Sequence, residues 1–209
     1  MINRDVPPYY SQWVSSELIP DILAGSMTAS EDPRWSESGA ASAEEYSRWA
    51  SHICGMACLK MLLEELTDER FTLFELLALC SERGGYVVNE AGIKGLYYRP
   101  LVQLLRDSYQ LEAEVVEHVD ADSLFSWLDE GHRVIASVHP TIRTPEQGPP
   151  HRGGHLVYLF GLDGEGRLRF HNPSGLPGIS QNDARLAPAD FERFFAGRGI
   201  LVRCHQPRR

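Results

Sequence analysis

The chain has no run of about 18 apolar residues of the kind that crosses a bilayer. Its opening MINRDVPPYY carries proline and charge where a secretory peptide needs an apolar core. A soluble, cytoplasmic protein with no membrane partner is the expectation. Cysteine is sparse: Cys54, Cys58, Cys80 and Cys204 have neither zinc-ligand spacing nor the density of a secreted disulfide scaffold, so they read as reduced thiols. Basic clusters are missing too, because 20 basic residues face 29 acidic ones for a formal charge of -9, interrupted only by the terminal pair Arg208 and Arg209. That balance argues against nucleic acid as a partner. Lysine is scarce, and we read the excess of arginine as codon usage. Also absent are G-x-S-x-G, H-E-x-x-H, G-x-G-x-x-G and the phosphate-binding G-x-x-x-x-G-K-[ST]. No metal and no cofactor is expected.

What is present fits one globular domain over residues 1–209, since 209 residues at 43% hydrophobic and 23% charged composition can bury a sizeable core. The opening DVPPYYSQW reads as an extended segment ending at Gln12 and Trp13, followed by a short helix over 15–24. The stretch from about 25 to 47, rich in Ser, Ala, Gly and Glu, reads as a surface insertion or lid with a helix starting near Ser42. CGMACLKMLLEEL (54–66) is the most apolar helical stretch, with a narrow solvent stripe of Lys60, Glu64 and Glu65. Further helices are expected over 71–80, from Pro100 to Tyr109, over 122–129 and near 188–196. Strands are expected over 112–116, 133–139, 155–162, 167–172 and 199–204, with Asp163 to Gly166 as a hairpin turn. Helices first and an antiparallel sheet afterwards make an α+β fold: a helical layer with one central helix packed on the sheet.

Cys54 falls at the first turn of that central helix, where unpaired backbone amides and the helix dipole favour an anion and so a thiolate. The plain alternative is a small buried apolar residue. Three histidines compete as the base a thiol nucleophile needs: His139, His151 and His155. His155 opens a strand apolar enough to be central, which puts its ring at the rim between core and cleft. His151 lies in a Pro- and Gly-rich loop that prevents a helical metal pair with His155. His139, before Pro140, remains a rival. A four-residue turn would pair Leu162 with Arg167 and bring His155 opposite Ser174, with Asn172 diagonally across from His155. A slip of one residue would exchange Asn172 for His171.

These residues resemble the papain-like cysteine peptidases, and within them the bacteriocin-processing, double-glycine-leader peptidase family and its soluble relatives. The matching pieces are DVPPYYSQ, ICGMACLKMLL, LDEGHRVIASV, GGHLVYLFGLD, RFHNPS, and ADFERFF followed by GILV, in the family's order over most of the chain. The resemblance implies a papain-like fold, with Cys54 as nucleophile, His155 as general base and Asn172, where many relatives carry Asp, as the residue orienting it. Closely spaced members have a Gln six residues before the nucleophile. Arg48 stands there in this chain. Looser relatives place that Gln at the end of the opening segment, which matches Gln12 as the oxyanion donor.

The leading expectation is therefore a cysteine-dependent hydrolase acting on a peptide, amide or thioester through an acyl-enzyme. An acyltransferase or cyclase would need the same groups and differ in how water is excluded. A catalytically silent binding module is the alternative of another class, motivated by Arg48 at the place of the expected Gln.

Overall fold

A computed structural model describes residues 6–204; Asp5 of the opening segment and the terminal pair Arg208, Arg209 lie outside the described residues. The opening segment runs without regular structure to a short 3-10 turn (Ser16–Leu18) and helix α1 (Ile19–Ala24). The chain then makes two 3-10 turns, Ala29–Glu31 and Trp35–Ser38, before α2 (Ala43–Ala50), which Ser42 caps by accepting from the Glu45 amide at 3.2 Å. A buried carboxylate ties this segment down. Asp32 accepts from the Ser15 amide (3.0 Å), Ser15 Oγ (2.5 Å), the Tyr46 hydroxyl (2.9 Å) and the Arg34 amide (2.9 Å). Burial alone would raise its pKa, and these hydrogen bonds overcome that and hold the carboxyl below its ordinary value.

Helix α3 (Cys54–Leu66) follows at once and is buried along nearly all of its length. The expected solvent stripe is covered. The Lys60 ammonium lies 2.6 Å from Glu64 and 4.0 Å over the Tyr10 ring, while Glu65 binds Arg133 at 2.5 Å and also meets the Tyr158 hydroxyl. Helix α4 (Leu73–Ser81) starts at a capping box of Thr72 and Glu75. A two-stranded ribbon, β1 (Tyr86–Asn89) and β2 (Gly92–Gly95), was not foreseen, because its exposed, glycine-flanked residues carry no apolar alternation. Helix α5 (Tyr98–Tyr109) holds Pro100 in its first turn, where no amide partner is lost.

The rest of the chain builds the main sheet: β3 (Glu112–Glu117), α6 (Ala121–Asp129), β4 (Arg133–Val138), a 3-10 turn (Pro140–Arg143), β5 (His155–Leu162), β6 (Leu168–His171), β7 (Ala184–Leu186), α7 (Pro188–Glu192) and β8 (Phe195–Arg203). Its order is β3-β8-β4-β5-β6-β7, antiparallel throughout. Side chains alternate between its faces. Ile135, Leu156, Tyr158, Phe160, Ile200 and Val202 join the core under α2 to α5. Val134, Ala136, Val157, Leu159, Phe170 and Leu201 pack with Leu124 and Leu128 of α6 and with Phe191. The sheet is thus covered on both faces, which is why β5 reads as an unbroken apolar run.

Two element bounds differ from expectation. The last strand begins at Phe195, which pairs with Val138 across a bulge, so the helix expected to reach 196 stops at Glu192. The hairpin after β5 is one residue longer than expected, since Leu162 pairs with Leu168 and Gly161 with Arg169. Asp163 Oδ1 organises this turn by accepting from the amides of Glu165 and Arg167, both at 3.0 Å. A bulge between Leu159 and Gly161 then absorbs the extra residue, so Tyr158 faces His171.

Candidate active site

Cys54 is the first residue of α3 and keeps partial solvent access, whereas Cys58, one turn deeper, is fully buried. Two backbone features set the approach of α3 to the sheet. Gly55 lies so close to the neighbouring wall that a Cβ there would come 2.5 Å from Leu96 Cδ2 and 3.1 Å from Leu156 Cδ1. Gly153 and Gly154, with φ of 87° and 98°, turn the chain through the left-handed region immediately before His155. The first feature seats the helix start on β5; the second delivers His155 to the rim of that strand.

The register brings His155 and Asn172 together. His155 Nε2 lies 2.8 Å from Asn172 Oδ1 and 3.0 Å from Ser174 Oγ. The Ser174 amide donates to the same Asn172 Oδ1 at 3.1 Å, which identifies that atom as the oxygen, an acceptor. Nε2 therefore carries the imidazole proton, and Nδ1 carries the lone pair. Asn172 is fully buried, its Nδ2 has no protein partner, and its backbone oxygen accepts from the Tyr9 hydroxyl at 3.1 Å.

The opening segment folds back to this place. Gln12 donates its backbone amide to Pro173 O at 3.0 Å and its side-chain Nε2 to Ala50 O at 2.9 Å, closing a loop between positions 38 apart in sequence. Its Oε1 is buried without a partner, and the residue is 2% exposed. Gln12 is thus an ordered, buried part of the wall beside Asn172 and the residues preceding Cys54. Arg48 lies within α2.

The rival histidines are engaged elsewhere. His139 accepts from the Thr141 amide at 3.2 Å and stacks edge-on against His151 at 4.4 Å, without a hydrogen bond to Asn172. His171 is buried between Pro7 O (3.0 Å) and the Asp183 amide (3.1 Å).

Burial dominates the electrostatics. It raises the Cys54 thiol above its ordinary value, against the amides of Leu156 and Gly55 and the charge of Arg143, which pull it down. It lowers His155 to about 3, reinforced by Arg143 and opposed by the Asn172 hydrogen bond. At neutral pH the site holds a thiol and a neutral imidazole. Arg143 itself had no signal in the sequence beyond its place in a Pro-rich loop, yet it binds Ser174 through Nε to O (2.8 Å) and Nη2 to Oγ (2.7 Å). Among the described residues no group of three or more metal-ligating side chains converges, and no helix is long and apolar enough to cross a membrane.

The described residues thus combine a helix-start cysteine packed on an antiparallel sheet with a strand-rim histidine bound to an asparagine. Residues 41–194 match the model of the Peptidase_C39 like family, and the chain belongs to that family. Gln12 precedes the matched stretch. Among solved structures the chain is similar to the peptidase domain of Streptococcus ComA, a bifunctional ABC transporter of a quorum-sensing pathway (18% identity over 73% of this chain and 92% of that one, TM-score 0.49). It is also similar to a putative C39-like peptidase from Bacillus anthracis (17% identity over 74% and 90%, TM-score 0.49). A third is a double glycine motif protease from an AMS/PCAT transporter, solved with its leader peptide (20% identity over 71% and 83%, TM-score 0.44). No curated protein matches.

Proposed function

We propose that the chain is a cysteine hydrolase that cleaves a peptide, amide or thioester through an acyl-enzyme on Cys54. The observation that carries this reading is the 2.8 Å bond from His155 Nε2 to Asn172 Oδ1, which leaves Nδ1 as the basic nitrogen of a histidine whose neighbour Leu156 donates its amide towards Cys54.

With thiol and imidazole both neutral at rest, His155 acts as a general base. Nδ1 takes the proton from Sγ as sulfur attacks the carbonyl carbon. The tetrahedral intermediate collapses with cleavage of the bond to the leaving group, which receives that proton from Nδ1. Water then attacks the thioester, giving up a proton to Nδ1 and releasing the acid with the thiol restored. The Gln12 amide and the amides at the start of α3 serve as donors to the developing oxyanion.

The test uses p-nitrophenyl acetate followed by intact-mass and peptide analysis. The proposal expects one acetyl group on Cys54, with release of one equivalent of nitrophenolate in a burst, and no acylation in Cys54→Ala or His155→Ala. Acylation that persists in Cys54→Ala would overturn it.

A further inference from the structure

Arg143 ends the 3-10 turn after β4, far from Ser174 in sequence, and spends three hydrogen bonds on that one residue: Nε to Ser174 O at 2.8 Å, Nε to Ser174 Oγ at 3.0 Å and Nη2 to Ser174 Oγ at 2.7 Å. The turn is held in return, because Ser180 Oγ donates to Arg143 O at 2.7 Å. Ser174 in turn touches both members of the histidine pair, through its amide to Asn172 Oδ1 and through Oγ to His155 Nε2. We propose that Arg143 is a positioning residue for the Cys54 and His155 pair, clamping Ser174 so that the Asn172 carbonyl is held against His155. The proposal rests on the reading of Cys54 as nucleophile and His155 as base.

Two physical consequences follow from the clamp. A planar guanidinium with several donors in fixed directions restricts Ser174 more than a single hydrogen bond does. Because Ser174 Oγ already accepts from Arg143, Asn172 Oδ1 is left as the principal acceptor for the Nε2 proton. The clamp therefore keeps the tautomer in which Nδ1 is basic. The second consequence is electrostatic. The charged group acting on Cys54 is Arg143, since Cys58 on α3 and Tyr86 on β1 are kept neutral by burial and His155 on β5 is neutral as well. A positive charge acting on a desolvated thiol favours its ionised form and disfavours the imidazolium. Arg143 thus lowers the proton affinity of both groups, making sulfur easier to deprotonate and His155 a weaker proton acceptor.

The two roles separate by substitution. Arg143→Met removes clamp and charge, Arg143→Lys keeps the charge without the planar fork, and Ser174→Ala removes the hydroxyl but leaves the charge. Each variant is first checked for a native circular-dichroism spectrum and melting transition. The pH dependence of iodoacetamide labelling at Cys54, read by peptide mapping, reports the charge. The rate of nitrophenolate release from p-nitrophenyl acetate reports the clamp. We expect labelling in Arg143→Met to move to higher pH, about tenfold slower at neutral pH, with the wild-type pH midpoint kept in Arg143→Lys and Ser174→Ala. Nitrophenolate release should fall at least tenfold in all three variants. A folded Arg143→Met or Arg143→Lys with wild-type profile and wild-type release would overturn the inference. Failure of wild-type Cys54 to react at all would instead overturn the function on which it rests.

Discussion

Asn172 Oδ1 receives the Nε2 proton of His155 at 2.8 Å, while the other half of the same amide, Nδ2, is buried with no partner. The side chain is thus used for its oxygen alone. Asn172→Ala should lower turnover by about two to four orders of magnitude, by releasing His155 from its orientation. Asn172→Asp preserves the acceptor and forfeits no hydrogen bond, so it should retain activity, and its charge should move the acid limb of the pH–rate profile upward. The measurement is that profile with p-nitrophenyl acetate; an inactive but folded Asn172→Asp would contradict this use of the amide.

Gln12 supplies a second prediction. Its Nε2 bond to Ala50 O uses one of two amide hydrogens and leaves the other for an oxyanion. Gln12→Ala should cost about two to three orders of magnitude in kcat, and about 1 kcal/mol of stability from the lost bond. Equal turnover in wild type and a folded Gln12→Ala would remove the residue from the oxyanion site.

Gly55 tests the seating of α3. The Cβ of Gly55→Ala would press on Leu96 Cδ2 and Leu156 Cδ1, both ends of flexible side chains. The expected cost is about 1–3 kcal/mol of unfolding free energy, read from the denaturant midpoint and slope, together with slower Cys54 labelling as the Leu156 amide is pushed from the sulfur. Labelling at the wild-type rate would show that the contact is packing alone.

Acid stability follows from two buried histidines. Burial lowers His155 to about 3 and His171 to about 4, against an ordinary 6.5. Between those values the unfolded chain binds protons that the native chain refuses, so stability rises with pH there. It should be complete above about pH 6.5 and decline steadily as the pH falls towards 4. Urea midpoints at pH 7.5, 6 and 5 check this, and His171→Phe should show a shallower decline than wild type. A midpoint independent of pH over that range would contradict the neutral, buried state of both rings.

Much of this was legible in sequence, for identifiable reasons. The apolar 54–66 stretch and the run HLVYLFGL could only be central elements, and the His155, Ser174 pairing followed from hairpin parity. That parity held through two compensating departures, a turn longer by one residue and a bulge between Leu159 and Gly161, neither of which leaves a mark on residue type. The ribbon from Tyr86 to Gly95 was missed because its side chains are mostly exposed. The strand start at Phe195 was missed because residues up to 196 read as the end of a helix, with the strand starting only at Gly199. Lys60, Glu64 and Glu65 looked solvent-facing because charge patterning cannot show that Tyr10 and Arg133 cover them. Arg143 escaped notice because its partner Ser174 is thirty-one positions away and the clamp exists only once β5 and β6 have formed.

Partial alkylation with iodoacetamide at neutral pH, followed by peptide mapping of wild type and His155→Gln, tests the central claim most directly. Burial raises all four thiols, Cys80 to about 12, but Cys54 keeps partial solvent access where Cys58 and Cys80 are fully buried, and the proposed base His155 serves Cys54 alone. The account predicts that Cys54 is labelled well before the other three, and that its rate drops in His155→Gln while theirs do not change. Uniform labelling, labelling of Cys204 first, or a Cys54 rate indifferent to His155 would contradict it.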